Sequence, residues 1–164
     1  MVVEKGDDVS AYWLVKSEPS TWSWQDHLAK GVELWNGVRN PQATRFLKAM
    51  QRGDWAFFYH SGQKRQIMGI LEVVSPYVPD PIDRRFGMVD MCAVSALPQP
   101  VTLAAIKAEP RLVHLALVRQ PRLSVMSVDA AAWRLLCILG GMSSPFEADS
   151  EPEMPWKEVI PCGL

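Results

Sequence analysis

The chain has 164 residues, of which 48% are hydrophobic and 21% are charged, and this composition excludes disordered and fibrous proteins in favour of one globular domain. The formal net charge is −1, but residues 9–140 hold 15 basic and 10 acidic side chains, while residues 141–164 hold one basic and five acidic ones. A basic body is compatible with a polyanionic partner and equally with an ordinary solvated surface.

The first predicted elements are two short strands with a helix between them. Residues 11–16 (AYWLVK) form the first strand. Ser23 and Asp26 have the spacing of a capping box, which predicts a short helix ending at Gly31. Residues 32–35 follow as the second strand.

A second helix is predicted to begin at Asn40, which suits the N-cap, and Pro41, which suits the first helical position. Its apolar side chains recur at helical spacing and are Ala43, Phe46, Leu47 and Met50. Residues 55–60 (WAFFYH) are too aromatic and too short for anything but a strand. Alternation along this strand gives it two faces, of which one is expected to be core.

The second half of the chain is richer in strands. Residues 66–78 and 87–97 are two long β-rich runs joined by a loop with two prolines, which forbid pairing there. Residues 102–109 predict a short helix, residues 122–127 a last strand, and Asp129 caps a final helix.

This irregular order of about six short strands and small helices predicts an α+β fold, a small mixed barrel that is closed or nearly closed, with helices covering its openings. We expect the domain to occupy residues 11–142, after an N-terminal extension at residues 1–10. Residues 143–164 are acidic and rich in proline, and we expect this tail to lie partly docked on the domain through Trp156. We expect a monomer.

Apolar runs and metal-ligand spacings give further expectations. No apolar run approaches the roughly 20 residues that span a bilayer, so we expect no membrane partner and a cytoplasmic location. The three cysteines are far apart in apolar surroundings, which predicts buried, reduced thiols at Cys92, Cys137 and Cys162. The histidines show no metal-ligand spacing, so we expect neither a structural metal nor a cofactor.

Four short motifs, in this order, resemble the EVE domain family over about residues 11–140. They are Trp13-Leu14-Val15-Lys16-Ser17-Glu18-Pro19, Trp35-x-Gly37-Val38-Arg39-Asn40-x-Gln42-Ala43, Phe58-Tyr59-His60-Ser61 and Arg122-Leu123-Ser124-Val125. The resemblance implies a PUA-like pseudobarrel, related in architecture to YTH domains, that holds a modified nucleobase in a pocket rather than catalysing a reaction.

The residues themselves are also consistent with base recognition. A flipped base needs a flat apolar wall for stacking and a few fixed donors and acceptors for its edge. Trp35 is the candidate wall, with a place in the core as the alternative. Asn40 can present a donor and an acceptor to a base edge, although an N-cap role would be sufficient to explain it.

Other candidate pocket residues carry the same two readings. Ser17 could bond a base or only close a turn, and His60 and Ser124 could point into a cavity or be satisfied within the fold. Val38 and Leu123 could line an apolar recess for a methyl-sized modification. With them, the family resemblance favours ligand-binding roles for Lys16, Gly37, Arg39, Tyr59 and Ser61.

Basic residues that could follow a nucleic-acid backbone are interspersed with acids, and most are expected to be solubilising. The candidates are Arg39, Arg45, Lys64, Arg65 and Arg122. Arg39 could clamp a phosphate or simply lie at the surface.

The sequence therefore predicts a non-enzymatic domain that binds DNA or RNA carrying a modified base, with a modified cytosine in DNA favoured. An RNA-binding module is the first alternative. The second is a hydrolase or deaminase acting on a nucleoside, with Ser17, Glu18 and His60 as the chemistry. Against catalysis, the chain has no nucleophile elbow, zinc deaminase signature or phosphate-binding glycine loop.

Overall fold

The computed structural model describes residues 11–142, which form six strands, five α-helices and one 3-10 turn. The strands are β1 (Tyr12–Ser17), β2 (Val32–Trp35), β3 (Trp55–His60), β4 (Gln66–Pro79), β5 (Gly87–Thr102) and β6 (Val125–Val128). The helices are α1 (Trp24–Lys30), α2 (Pro41–Ala49), α3 (Leu103–Lys107), α4 (Ala116–Arg119) and α5 (Ala130–Leu139), and the 3-10 turn is Pro110–Leu112.

All six strands belong to one mixed sheet in the order β2-β5-β4-β3-β1-β6. The pairing of β1 with β3 is parallel, and the other neighbours are antiparallel. The α+β class with about six strands is thus confirmed. The sheet is not closed into a barrel, because β2 and β6 end it and do not pair with each other.

Strand β3 lies near the middle of the sheet, and all six of its residues are buried. The ring of Trp133 on α5 stacks on Phe57 at 3.9 Å between centroids. On the other face, Trp24 of α1 meets Phe58 edge-on at 5.4 Å. Both faces of this strand are therefore core, since helices cover it on both sides.

Local signals placed most elements correctly. Ser23 and Asp26 form the expected capping box before α1, and Asn40 and Asp129 cap α2 and α5 through their side chains. The last strand begins at Val125 instead of residue 122, and β5 continues to Thr102. The 3-10 turn and α4 were not predicted, because each is a single turn, too short for periodicity to show.

Both cysteines of the described residues are buried. Cys137 on α5 is free, and burial raises the pKa of its thiol to about 12. Cys92 on β5 is buried at 2% exposure, as expected. Cys162, with the N-terminal extension and the acidic tail, lies outside the described residues.

Residues 11–142 contain neither a membrane-crossing helix nor a cluster of metal-ligating side chains. No helix in this range is long and apolar enough to cross a membrane. No group of three or more histidine, cysteine or acidic side chains in the same range could hold a metal ion.

Candidate nucleic-acid interface

A cavity of about 460 Å³ opens beside the end of β1, between the β1–α1 loop and the segment that follows β2. Seven of the predicted site residues line it, namely Lys16, Ser17, Trp35, Gly37, Val38, Arg39 and Ser124. Six further residues line it that were not predicted to bind a ligand, although Glu18 was a candidate in the enzyme alternative: Glu18, Thr21, Trp22, Glu33, Leu34 and Asn36. We call this space the Trp22–Trp35 cavity.

Two indoles contribute apolar surface to the cavity. Trp35 is only 7% exposed, and its ring meets Phe58 edge-on at 5.6 Å. It is therefore a core residue that also lines the cavity. Trp22 is half-buried and lines the same space; an unpaired aromatic in the polar turn before a capping box could have signalled it.

A fully buried histidine fixes the position of Trp22. The indole N–H of Trp22 donates to Nδ1 of His27 at 3.1 Å, so Nε2 carries the ring proton and donates to the carbonyl of Met91 at 2.9 Å. Burial lowers the pKa of His27. The neutral ring therefore connects the cavity wall to β5.

Lys16 and Ser17 end β1 at the rim of the cavity. The Ser17 hydroxyl donates to the carbonyl of Trp22, which holds the β1–α1 loop against the strand. The Lys16 ammonium donates to the carbonyl of Pro121 at 2.9 Å and lies 5.6 Å from the centre of the Tyr59 ring. Burial lowers the pKa of Lys16.

The loop after β2 forms the opposite rim. Gly37 has a φ of 78°, a conformation that glycine adopts without a steric penalty. Val38 is buried at 8% exposure and supplies an apolar surface. Arg39 is exposed, and its guanidinium lies 4.6 Å from the centre of the Phe86 ring.

Asn40 and Leu123 fall outside this cavity and line a neighbouring one of about 340 Å³, together with Gln42, Gln120, Pro121 and Arg122. The side chain of Asn40 accepts from the N–H of Ala43 at 3.0 Å, which is the N-cap bond of α2. Its amide group remains able to donate. The bond from Lys16 to Pro121 connects residues that line the two cavities.

The β3 motif does not reach either cavity. Tyr59 and His60 are buried at 3% and 7% exposure, and Nε2 of His60 accepts from the N–H of Trp24 at 2.9 Å. The N–H of Ser61 donates to the carbonyl of Ser17 at 2.9 Å. The bonds of His60 and Ser61 thus hold residues next to the cavity and do not face it. Burial lowers the pKa of His60.

The candidate backbone contacts are spread over the surface. Arg39 lies on the Trp22–Trp35 cavity and Arg122 on its neighbour. Lys64 and Arg65 line a separate open groove beside Glu18, and Arg45 is exposed on α2. The structure brings together Arg39 and the cavity, but it does not join all five into one strip.

Comparisons with known proteins agree with this architecture. The model of the EVE domain family matches residues 11–139. Mouse thymocyte nuclear protein 1 is 39% identical over 92 residues, which are 46% of this chain and 38% of that protein. The chain therefore matches well under half the length of this relative.

Solved structures are similar over most of the domain. A protein from Rhodopseudomonas palustris is 52% identical, with a TM-score of 0.77, over 80% of this chain and 93% of that one. Human THYN1 protein, in complex with DNA containing 5-methylcytosine, is 27% identical with a TM-score of 0.76 over 82% of this chain and 99% of that one.

Proposed function

The chain belongs to the EVE domain family, and from this premise we propose that it binds nucleic acid carrying a modified base and holds that base in the Trp22–Trp35 cavity. A modified cytosine in DNA is the favoured ligand. The observation that carries the proposal is the pairing of two indoles with polar side chains around one open cavity. The relative crystallised with DNA containing 5-methylcytosine supports the choice of ligand.

The lining matches the two chemical parts of a base. The half-buried Trp22 offers an indole to a flat ring, and base–aromatic stacking is worth about 1–3 kcal/mol. Val38 and the exposed Leu34 supply apolar surface on the opposite rim. A methyl group on the base would gain from such contacts about 0.8 kcal/mol for each buried carbon.

The acidic side chains of the cavity favour a base with an exocyclic amino group. A carboxylate accepts from the amino group of cytosine, and Glu33 and Glu18 both line the cavity. One oxygen of Glu33 accepts from Lys30 at 3.0 Å and from the N–H of Leu34 at 2.9 Å. Since a carboxylate has about four acceptor sites, the anchored group can accept a further bond from a base.

The same geometry supports a domain that binds without catalysis. The Ser17 hydroxyl proton is donated to the Trp22 carbonyl, and Nε2 of His60 accepts the N–H of Trp24. A hydrolytic pair would need the serine hydroxyl to donate to the histidine. Both groups are instead used to hold the β1–α1 loop, so the enzyme alternative loses its candidate chemistry.

An affinity panel tests the proposal. We expect the protein to bind single strands and duplexes of DNA that carry 5-methylcytosine more tightly than the same sequences with cytosine. RNA versions of the same oligonucleotides decide between DNA and the RNA alternative. Equal affinity for every modified and unmodified oligonucleotide would exclude recognition of the modification.

A variant of the cavity wall locates the site. We expect Trp22→Ala to weaken binding of the preferred oligonucleotide by about 5- to 150-fold, the loss of one stacking contact. Tyr12→Ala is the matched control, because Tyr12 is also a half-buried aromatic but stacks on Trp133, at 4.7 Å between centroids. Wild-type affinity in Trp22→Ala would place the base elsewhere.

A further inference from the structure

The connection between β4 and β5 carries an apolar side chain with no packing role. Ile82 is 95% exposed, whereas the other exposed large hydrophobics of the described residues are between 39% and 51% exposed. It lies at the tip of a hairpin whose two strands are the longest in the sheet. Burying such a side chain against a partner would gain about 1.5–3 kcal/mol.

The tip is held in one conformation by its own hydrogen bonds. The N–H of Ile82 donates to the carboxylate of Asp80 at 2.8 Å, and the N–H of Asp80 donates to the carbonyl of Phe86 at 2.8 Å. The guanidinium of Arg85 donates twice to Asp83, at 3.0 and 2.7 Å. Because the loop is already ordered, insertion of Ile82 into a partner would cost little further conformational entropy.

The tip adjoins the rim of the Trp22–Trp35 cavity. Trp35, the last residue of β2, pairs with Val89 near the start of β5. The loop that follows β2 therefore begins close to the tip of the hairpin. Contact is made where the guanidinium of Arg39, a cavity residue, covers the Phe86 ring at 4.6 Å. Ile82 is four residues from Phe86 on the same connection.

The charges around Ile82 suit a nucleic-acid backbone. The carboxylates of Asp80 and Asp83 accept hydrogen bonds from the loop itself. Arg84 is exposed within this connection, and the exposed Arg39 lies over its Phe86 ring. An apolar tip with arginines beside it is the arrangement by which proteins wedge a side chain between stacked bases while they contact phosphates.

We infer that this hairpin tip is a duplex wedge, in which Ile82 enters the base stack beside the base that the cavity has extracted. The inference rests on the proposed function. Extraction of a base from a duplex costs a few kcal/mol in lost stacking and pairing. An isoleucine side chain in the vacated space offsets part of this cost, and Arg39 and Arg84 hold the flanking phosphates.

The test compares a duplex with a single strand of the same sequence, each with one 5-methylcytosine. A base in a single strand does not have to be extracted, so the wedge contributes to the duplex alone. We expect Ile82→Ala to weaken duplex binding by about tenfold, the equivalent of 1.4 kcal/mol, and to leave single-strand affinity within about twofold of wild type. Ile82→Leu retains an apolar wedge and is expected to retain most of the duplex affinity.

Ile138→Ala is the matched control, because Ile138 is a 46% exposed isoleucine on α5. A 2-aminopurine placed next to the methylated base reports unstacking by its fluorescence, which we expect to rise with wild type and not with Ile82→Ala. Unchanged duplex affinity in Ile82→Ala would overturn the wedge. So would an equal loss on duplex and single strand, which would indicate ordinary contact with the strand.

The two proposals fail in different ways. If wild type binds neither methylated oligonucleotide better than its unmethylated form, the proposed function fails and the wedge fails with it. If wild type prefers the methylated oligonucleotides but Ile82→Ala behaves as wild type on both, only the wedge fails.

Discussion

The indole N–H of Trp22 donates to Nδ1 of His27 at 3.1 Å, and this bond joins a half-exposed cavity residue to a histidine that is fully buried. The other nitrogen of His27 is bonded to the carbonyl of Met91 on β5. The imidazole must therefore stay neutral, because a proton on Nδ1 would face the indole proton. Protonation of His27 would therefore break the hydrogen bond that positions Trp22 on the cavity.

Acidification should therefore destabilise the protein. Burial lowers the pKa of both His27 and His60 in the folded state, below the ordinary value of about 6.5 that each has when unfolded. In the interval between the two values the unfolded chain binds more protons, so stability is complete above about pH 6.5 and falls as the pH falls below it. Thermal unfolding followed by circular dichroism between about pH 8 and pH 5 measures this.

The control for that profile is His27→Gln, which retains an acceptor and a donor but does not titrate. We expect its midpoint to be lower at neutral pH and to change less with pH than that of wild type. The indole N–H signal of Trp22 in NMR spectra should shift in wild type over the same interval. A wild-type midpoint that is the same at pH 5 and pH 8 would contradict the assignment.

Much of the fold was predictable because its signals are local. The capping box at Ser23, the cap at Asn40 and the aromatic run of residues 55–60 each specify an element through neighbours in sequence. Sheet closure is not local, since it depends on whether β2 and β6 meet across the molecule. The burial of β3 on two faces depends in the same way on α1 and α5.

The residues of the candidate site also fall into those that could be predicted from local sequence and those that could not. Residues 37–39 and the end of β1 were predicted mainly because their motifs resemble those of the EVE family, and these residues line one cavity. Trp22 was not predicted to line the cavity, because its position depends on the conformation of the β1–α1 loop and on its bond to His27. No sequence motif signals either of these. His60 was proposed as a cavity residue, but its ring accepts a hydrogen bond from the first residue of α1. Its position at a strand end did not reveal the direction in which its ring points.

The two roles considered for Asn40 can be separated by substitution. Its side chain caps α2 by accepting from Ala43 at 3.0 Å, so Asn40→Ala should lower the free energy of unfolding by about 0.5–2 kcal/mol. Asn40→Asp retains the cap and should retain stability, but its carboxylate cannot donate. If Asn40→Asp also retains wild-type affinity for DNA, the amide group does not take part in base recognition.

Two glycines should respond to alanine for different reasons. A Cβ on Gly69 would lie 2.4 Å from the Trp24 ring and 2.8 Å from the carbonyl oxygen of Ser95, so Gly69→Ala must displace buried groups and should cost about 1–3 kcal/mol. Gly37 has open space around it but a φ of 78°, so Gly37→Ala should cost about 1 kcal/mol through the backbone alone. Denaturant unfolding compares them. A smaller loss for Gly69→Ala than for Gly37→Ala would contradict the close contact with Trp24.

Substitutions of Trp35 and Trp22 should affect stability and DNA binding to different degrees. Trp35 is 7% exposed and packs against Phe58, so Trp35→Ala should lower the free energy of unfolding by about 3–5 kcal/mol. Trp35→Phe retains most of the apolar volume and should retain much of that stability. Trp22 is half-buried, so Trp22→Ala should lower stability less than Trp35→Ala while it lowers affinity for the modified oligonucleotide. Denaturant unfolding and a binding titration on each folded variant measure the two effects. Wild-type stability in Trp35→Ala would show that the Trp35 ring belongs to the cavity and not to the core.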